Sequence, residues 1–131
     1  MPEPTWVALD VALAIHDAQI AEHGGGAGIR DRGLFGSALA RPRNCCTYGE
    51  RSLARLSAQY AFGLSRNHLF IDRNKRTSLA VMELFLELNG IELTASDAEC
   101  VTTFLGLADG DITEDQLAAW LAGHAARSRD N

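Results

Sequence analysis

Asn74-Lys75-Arg76-Thr77-Ser78-Leu79-Ala80-Val81-Met82-Glu83-Leu84-Phe85-Leu86-Glu87-Leu88 is apolar on nearly every side of a helical wheel. From Ser78 onward only a thin polar strip remains, with Glu83 and Glu87 roughly in line with Arg76 before it. A helix that is hydrophobic all round is a buried one. The spacing therefore predicts a central helix over 74–88, stopped by Asn89-Gly90, with the rest of the chain packed around it. The fold class that follows is all-α, a compact bundle of about six helices around a buried central helix.

The flanking sequence is helical as well. Trp6 to Glu22 is Ala-rich, preceded by Pro4-Thr5 and ended by Gly24-Gly25-Gly26. Asp31 can cap a short helix from Arg32 to Ala40, which Pro42 is expected to stop. From Arg51 to Arg66, Leu53, Leu56, Tyr60 and Leu64 recur at helical spacing, and Ala54, Ala58, Ala61 and Gly63 allow a close neighbour. After a briefly extended Ile91-Glu92-Leu93, two capping boxes, Ser96-x-x-Glu99 and Thr113-x-x-Gln116, open helices running to Leu107 and Ala122. Asp109-Gly110-Asp111 is the turn between them. Trp6 and Trp120 are expected in the core, and His16 as a buried structural histidine or part of a site wall. The chain is expected to be one domain over 1–131, with residues 125–131 frayed.

Bulk properties narrow the function. The 131 residues are 47% hydrophobic and 22% charged, with a net charge of −5. That balance argues against the clustered basic face a nucleic-acid binder needs. No run approaches the ~18 apolar residues of a membrane helix, and Met1-Pro2-Glu3-Pro4 does not open a signal peptide. Cytoplasm is the expected location, with no direct nucleic-acid or membrane partner. Cys45, Cys46 and Cys100 have neither metal nor redox spacing and are expected as reduced thiols.

Chemistry concentrates in the residues leading into the central helix, His68-Leu69-Phe70-Ile71-Asp72-Arg73-Asn74-Lys75-Arg76-Thr77. Lys75 is the chain's sole lysine. A helix start offers free backbone N–H groups and the positive end of the dipole, which together hold anions. Lys75 and Arg76 would oppose that dipole in a helix without a ligand, yet they suit a bound phosphate, which arginine can grip in two places. Asp72 can bind a magnesium ion bridging phosphate oxygens, or simply cap the helix. His68 can take a proton from a hydroxyl near neutral pH, or be a capping or core residue. Phe70 is read as an anchor for the loop. Together these are the parts of a phosphoryl or nucleotidyl transfer site.

This segment resembles the signature loop of the Fic/Doc family, His-x-Phe-x-Asp/Glu-Gly/Ala-Asn-Gly/Lys-Arg. Lys75 is similar to the Doc (death-on-curing) branch. AMP-transferring Fic proteins usually have Gly there and a second Arg where this chain has Leu79. Leu13-Ala14-Ile15-His16-Asp17, Gly28 to Leu34, Ala38 to Pro42 and Phe85 to Gly90 also resemble Doc, so the likeness covers most of the chain. It implies the toxin of a toxin–antitoxin pair: an all-helical, ATP-dependent protein kinase that phosphorylates a threonine of elongation factor Tu and halts translation. By position, His68 would be the general base and Asp72 the Mg2+ ligand. Asn74, Lys75 and Arg76 would hold the nucleotide phosphates, with Arg66 completing the cradle. No Ser/Thr-x-x-x-Glu-Gly/Asn inhibitory motif is found, so a separate antitoxin is implied, with a disordered tail that folds as a helix on binding.

Two positions depart from the pattern. Leu69 replaces a common Pro, a mild change. Arg73 stands where the family has Gly or Ala and the backbone comes near the phosphates. It can reshape the pocket, add a phosphate contact or cripple the enzyme. Two alternative readings therefore stand beside the kinase: an AMP transferase, and a catalytically impaired module that binds nucleotide or a partner.

Overall fold

The computed structural model describes residues 3–26, 28–29, 31–66 and 74–127. Six helices follow one another: α1 (Leu9–His23), α2 (Arg32–Thr47), α3 (Leu53–Arg66), α4 (Asn74–Leu88), α5 (Asp97–Asp109) and α6 (Glu114–Gly123). Strands β1 (Ile91–Leu93) and β2 (Ala125–Arg127) complete the described chain. The all-α expectation holds, and so does the central place of α4. Val81 and Phe85 belong to one buried apolar cluster with Ala12, Phe35, Leu56, Tyr60 and Leu64. Met82 and Leu86 belong to a second, with Ala58, Ala61, Phe104, Leu107, Leu117 and Leu121. Helix α4, like α3, contributes to both clusters, which is why its sequence is apolar on opposite faces.

Local signals placed many of the ends. Gly24, at φ 75°, closes α1 by donating its N–H to the Ile20 carbonyl. The Asp31 carboxylate accepts the Leu34 N–H at the start of α2. Both capping boxes form, Ser96 with Glu99 and Thr113 with Gln116. Gly110, left-handed at φ 86°, ends α5. Gly63 packs against Ala38, where an added Cβ would lie 3.4 Å from the alanine methyl, so α2 and α3 approach as closely as the small residues allow.

Four expectations are corrected. Helix α1 begins at Leu9, not Trp6, because the preceding segment is engaged by distant side chains. The Val7 N–H donates to the Tyr60 hydroxyl at 3.2 Å, Thr5 is bonded to Asn89, and the Trp6 ring stacks on Phe85 at 5.7 Å. Helix α2 runs through Pro42 to Thr47 instead of stopping at Ala40. An interior proline costs a helix about 3 kcal/mol; here its ring is buried, and the tertiary packing of the α2 face carries the helix past it. Residues 125–127 are not frayed. They pair antiparallel with 91–93, in register Ile91 with Arg127 and Leu93 with Ala125. The join is reinforced by His124, whose carbonyl accepts from both the Thr94 amide and hydroxyl. Helix α3 starts two residues later than its periodicity implied, since the Ser52 hydroxyl caps it through the Arg55 N–H.

Trp6 and Trp120 are half-buried, each packed against one of the apolar clusters. Cys45, Cys46 and Cys100 are free thiols. Among the described residues, no helix is long and apolar enough to cross a membrane.

Candidate active site

Helices α3 and α4 pack extensively against each other. Leu56, Tyr60 and Leu64 of one share a cluster with Val81 and Phe85 of the other, and the Tyr60 and Phe85 rings meet at 5.1 Å. The two helices pack side by side and only seven positions, 67–73, separate Arg66 from Asn74, a connection short enough to favour an antiparallel pair. The C-terminal end of α3, at Arg66, and the N-terminal end of α4, at Asn74, therefore open at the same end of the bundle.

That end is where the sequence concentrates its cations. Helix α4 begins at Asn74, as the spacing predicts, and no acidic residue occupies its first turn. The positive end of the dipole of a fifteen-residue helix thus lies at this end of the bundle, at Asn74. Arg76 is exposed there. Arg66, Asn74 and Lys75 are placed by their backbone, at the helix ends. His68, Asp72 and Arg73 lie outside the described residues. The backbone thus places Arg66 at the same end of the bundle as Asn74, Lys75 and Arg76.

Beneath these residues lies a polar layer that periodicity did not single out. Ser65, Thr77 and Ser78 are all buried. The signal available in the sequence was hydroxyl residues falling in the apolar stripes, Thr77 one turn before Val81 and Ser65 one turn after Ala61. His16 is buried on α1, at 1% exposure, as expected for a structural histidine.

The Fic/DOC family model matches residues 6–86, from the extended segment before α1 almost to the end of α4. The chain belongs to the Fic/Doc family. A relative named Protein kinase doc, from Escherichia phage P1, is 36% identical over 107 residues, covering 81% of this chain and 84% of the relative. Another, Toxin Doc from Mycolicibacterium smegmatis, is 38% identical over 111 residues, covering 81% and 85%. The end of the bundle that carries Arg66, Asn74, Lys75 and Arg76 falls inside the matched span, whereas α5, α6 and the small sheet lie beyond it.

Proposed function

We propose that this chain is an ATP-dependent protein kinase of the Doc type, the toxin of a toxin–antitoxin pair, which phosphorylates a threonine of elongation factor Tu and halts translation. The observation that carries the reading is the first turn of α4. It holds two cations and no carboxylate, a composition unfavourable to the helix dipole unless an anion sits there. The similarity to a relative named Protein kinase doc supports phosphoryl rather than nucleotidyl transfer.

In this reading the residues divide by role. Asn74, Lys75 and Arg76, with the α4 amides, orient the polyphosphate, Arg66 adds charge from beside it, and Arg73 brings a further cation together with bulk that crowds the amides. Asp72 holds the magnesium ion. His68 takes the proton of the threonine hydroxyl as the oxygen attacks the γ-phosphorus of ATP and the bond to the β,γ-bridging oxygen breaks, releasing ADP. ATP supplies the phosphoryl group; the chain's task is positioning and charge stabilisation, the main demands of this chemistry.

The AMP-transferring alternative needs a second cation at position 79. Leu79 is half-buried and packs against the second apolar cluster, so that position serves the core. A cognate antitoxin with a tail that folds on binding remains the proposed regulator. An apolar cleft of about 560 Å3 lined by Trp6, Leu9, Leu39 and Ala40, with Arg43, suits such a helix. It lies between the start of α1 and α2.

Incubation with γ- and α-labelled ATP and purified elongation factor Tu tests the function. Label from the γ position alone is expected. Label from the α position would establish AMP transfer, and none from either would leave a binding module.

A further inference from the structure

Hydroxyl residues inside helices usually satisfy themselves by bonding the carbonyl one turn back. Two threonines of this chain do so: Thr47 donates to the Arg43 carbonyl at 3.1 Å and Thr102 to that of Ala98 at 3.0 Å. Thr77 does not. Its Oγ1 is buried with no hydrogen-bond partner among the described residues, and the residue is 0% exposed. Ser65, at 1% exposure, is in the same condition. An unpaired buried hydroxyl destabilises a fold, and valine would fill the threonine's shape without it, so its presence calls for an explanation.

Position supplies one. Thr77 follows directly on Asn74, Lys75 and Arg76, and Ser65 directly precedes Arg66. These two hydroxyls therefore sit at the two helix ends that frame the proposed phosphate site. Ser57 provides the contrast. It is equally buried and unpaired, but lies two turns down α3 from Ser65, about 12 Å along the axis.

We propose that Thr77, assisted by Ser65 at the end of α3, is a positioning residue of the transfer site: its hydroxyl gains a partner when nucleotide binds and locks the first turn of α4. The inference rests on the nucleotide-binding reading above. A locked first turn keeps the Asn74–Arg76 amides and side chains aimed at the phosphates, where small misplacements weaken transfer strongly. In the free protein the same hydroxyl is a local cost to stability, so stability and function should respond to its removal with opposite sign.

Thr77→Val, Thr77→Ser, Ser65→Ala and Ser57→Ala test this, with three readouts on the full chain: melting temperature alone, the shift produced by Mg·ATP, and transfer kinetics from γ-labelled ATP. Thr77→Val should melt at or above the wild-type temperature, yet show an ATP KM raised about tenfold, the scale of one hydrogen bond in a charged site. Thr77→Ser should recover most of that loss, and Ser65→Ala should share it in part. Ser57→Ala should keep wild-type kinetics. Unchanged KM and Mg·ATP shift in Thr77→Val would overturn the proposal. So would a lower melting temperature of the free Thr77→Val chain, which would mean that the hydroxyl already makes a structural bond. If the wild type binds Mg·ATP without transferring phosphate, only the kinase reading falls, and Thr77 is judged on binding alone. A wild type that binds no ATP removes both.

Discussion

Asn89 and Thr5, eighty-four positions apart, hold each other through two hydrogen bonds. The Thr5 amide donates to Asn89 Oδ1 at 2.8 Å, and Asn89 Nδ2 donates to the Thr5 carbonyl at 3.0 Å. The same Nδ2 reaches the Phe85 carbonyl at 2.8 Å, capping the end of α4. One side chain thus ends the central helix and ties down the segment that leads into α1.

Asn89→Ala should loosen both. Loss of these partly exposed bonds is expected to cost about 1–2 kcal/mol, seen as a melting temperature several degrees lower. Hydrogen exchange at the Thr5 amide should quicken selectively. Unchanged exchange at Thr5 would mean the Trp6–Phe85 stack alone holds the segment.

Tyr60 secures the next residues. Its hydroxyl accepts the Val7 N–H, and burial pushes the phenol above its ordinary range, with the Val7 bond and Arg43 pulling the other way. Tyr60→Phe should cost about 1–2 kcal/mol through the stranded amide. The folded phenol holds its proton more tightly than the unfolded one, so this residue's contribution is complete below the unfolded value near 10. It is lost as pH rises through the folded value. Denaturant midpoints taken from pH 9 upward should fall more steeply in the wild type than in Tyr60→Phe.

The features legible in the sequence were those written within a turn or two of themselves. The bounds of α4, the Gly24 stop, the Asp31 cap and the two capping boxes depend on neighbours three or four residues away. What escaped depends on long-range partners. Nothing local shows that Asn89 will claim Thr5, that Tyr60 will hold Val7 out of a helix, or that 125–127 will pair with 91–93. Pro42 misled for the same reason: its local preference is to break, and tertiary packing overrides it. At the site, the start of α4 and its cations could be read from spacing. The unpaired hydroxyls of Ser65 and Thr77 could not, because an unpaired group is visible only once its surroundings are.

Glu83 is a carboxylate in the wrong place for neutral pH. Burial raises its pKa, and Glu87 and Asp97 raise it further. These three, with Glu92 and Cys100, line a cleft of about 250 Å3 between α4, β1 and α5. The folded form binds the proton more tightly than the unfolded one, so the favourable contribution is present below the ordinary carboxylate value near 4 and lost as pH rises through the folded value. Glu83→Gln should therefore raise the melting temperature at pH 7, with the gain shrinking to nothing at about pH 4. A gain that persists at low pH would assign the effect to packing instead of charge.

His68→Ala tests the general base. The proposed chemistry leaves nucleotide binding to Asn74, Lys75 and Arg76, so the variant should bind Mg·ATP nearly as the wild type does. Phosphoryl transfer should fall by roughly a hundredfold or more. Full transfer in this variant would remove His68 from the mechanism.

Arg73 is the sharper of the two departures from the family's pattern, and it immediately precedes the helix start that carries the proposed phosphate site. Glycine or alanine there leaves the backbone amides open to an anion; an arginine adds both bulk and charge. If bulk dominates, Arg73→Gly should raise the transfer rate and the toxicity of the expressed chain together, by about tenfold, the scale of one charge-assisted contact regained. If charge dominates, the variant should lose ATP affinity, and its binding should depend less steeply on salt because one cation has left the site. The expected outcome is the first, because Lys75, Arg76 and Arg66 already supply cations at this end of the bundle while open backbone amides are harder to replace. A weaker Mg·ATP complex in Arg73→Gly, with a shallower salt dependence, would establish Arg73 as a phosphate ligand in its own right.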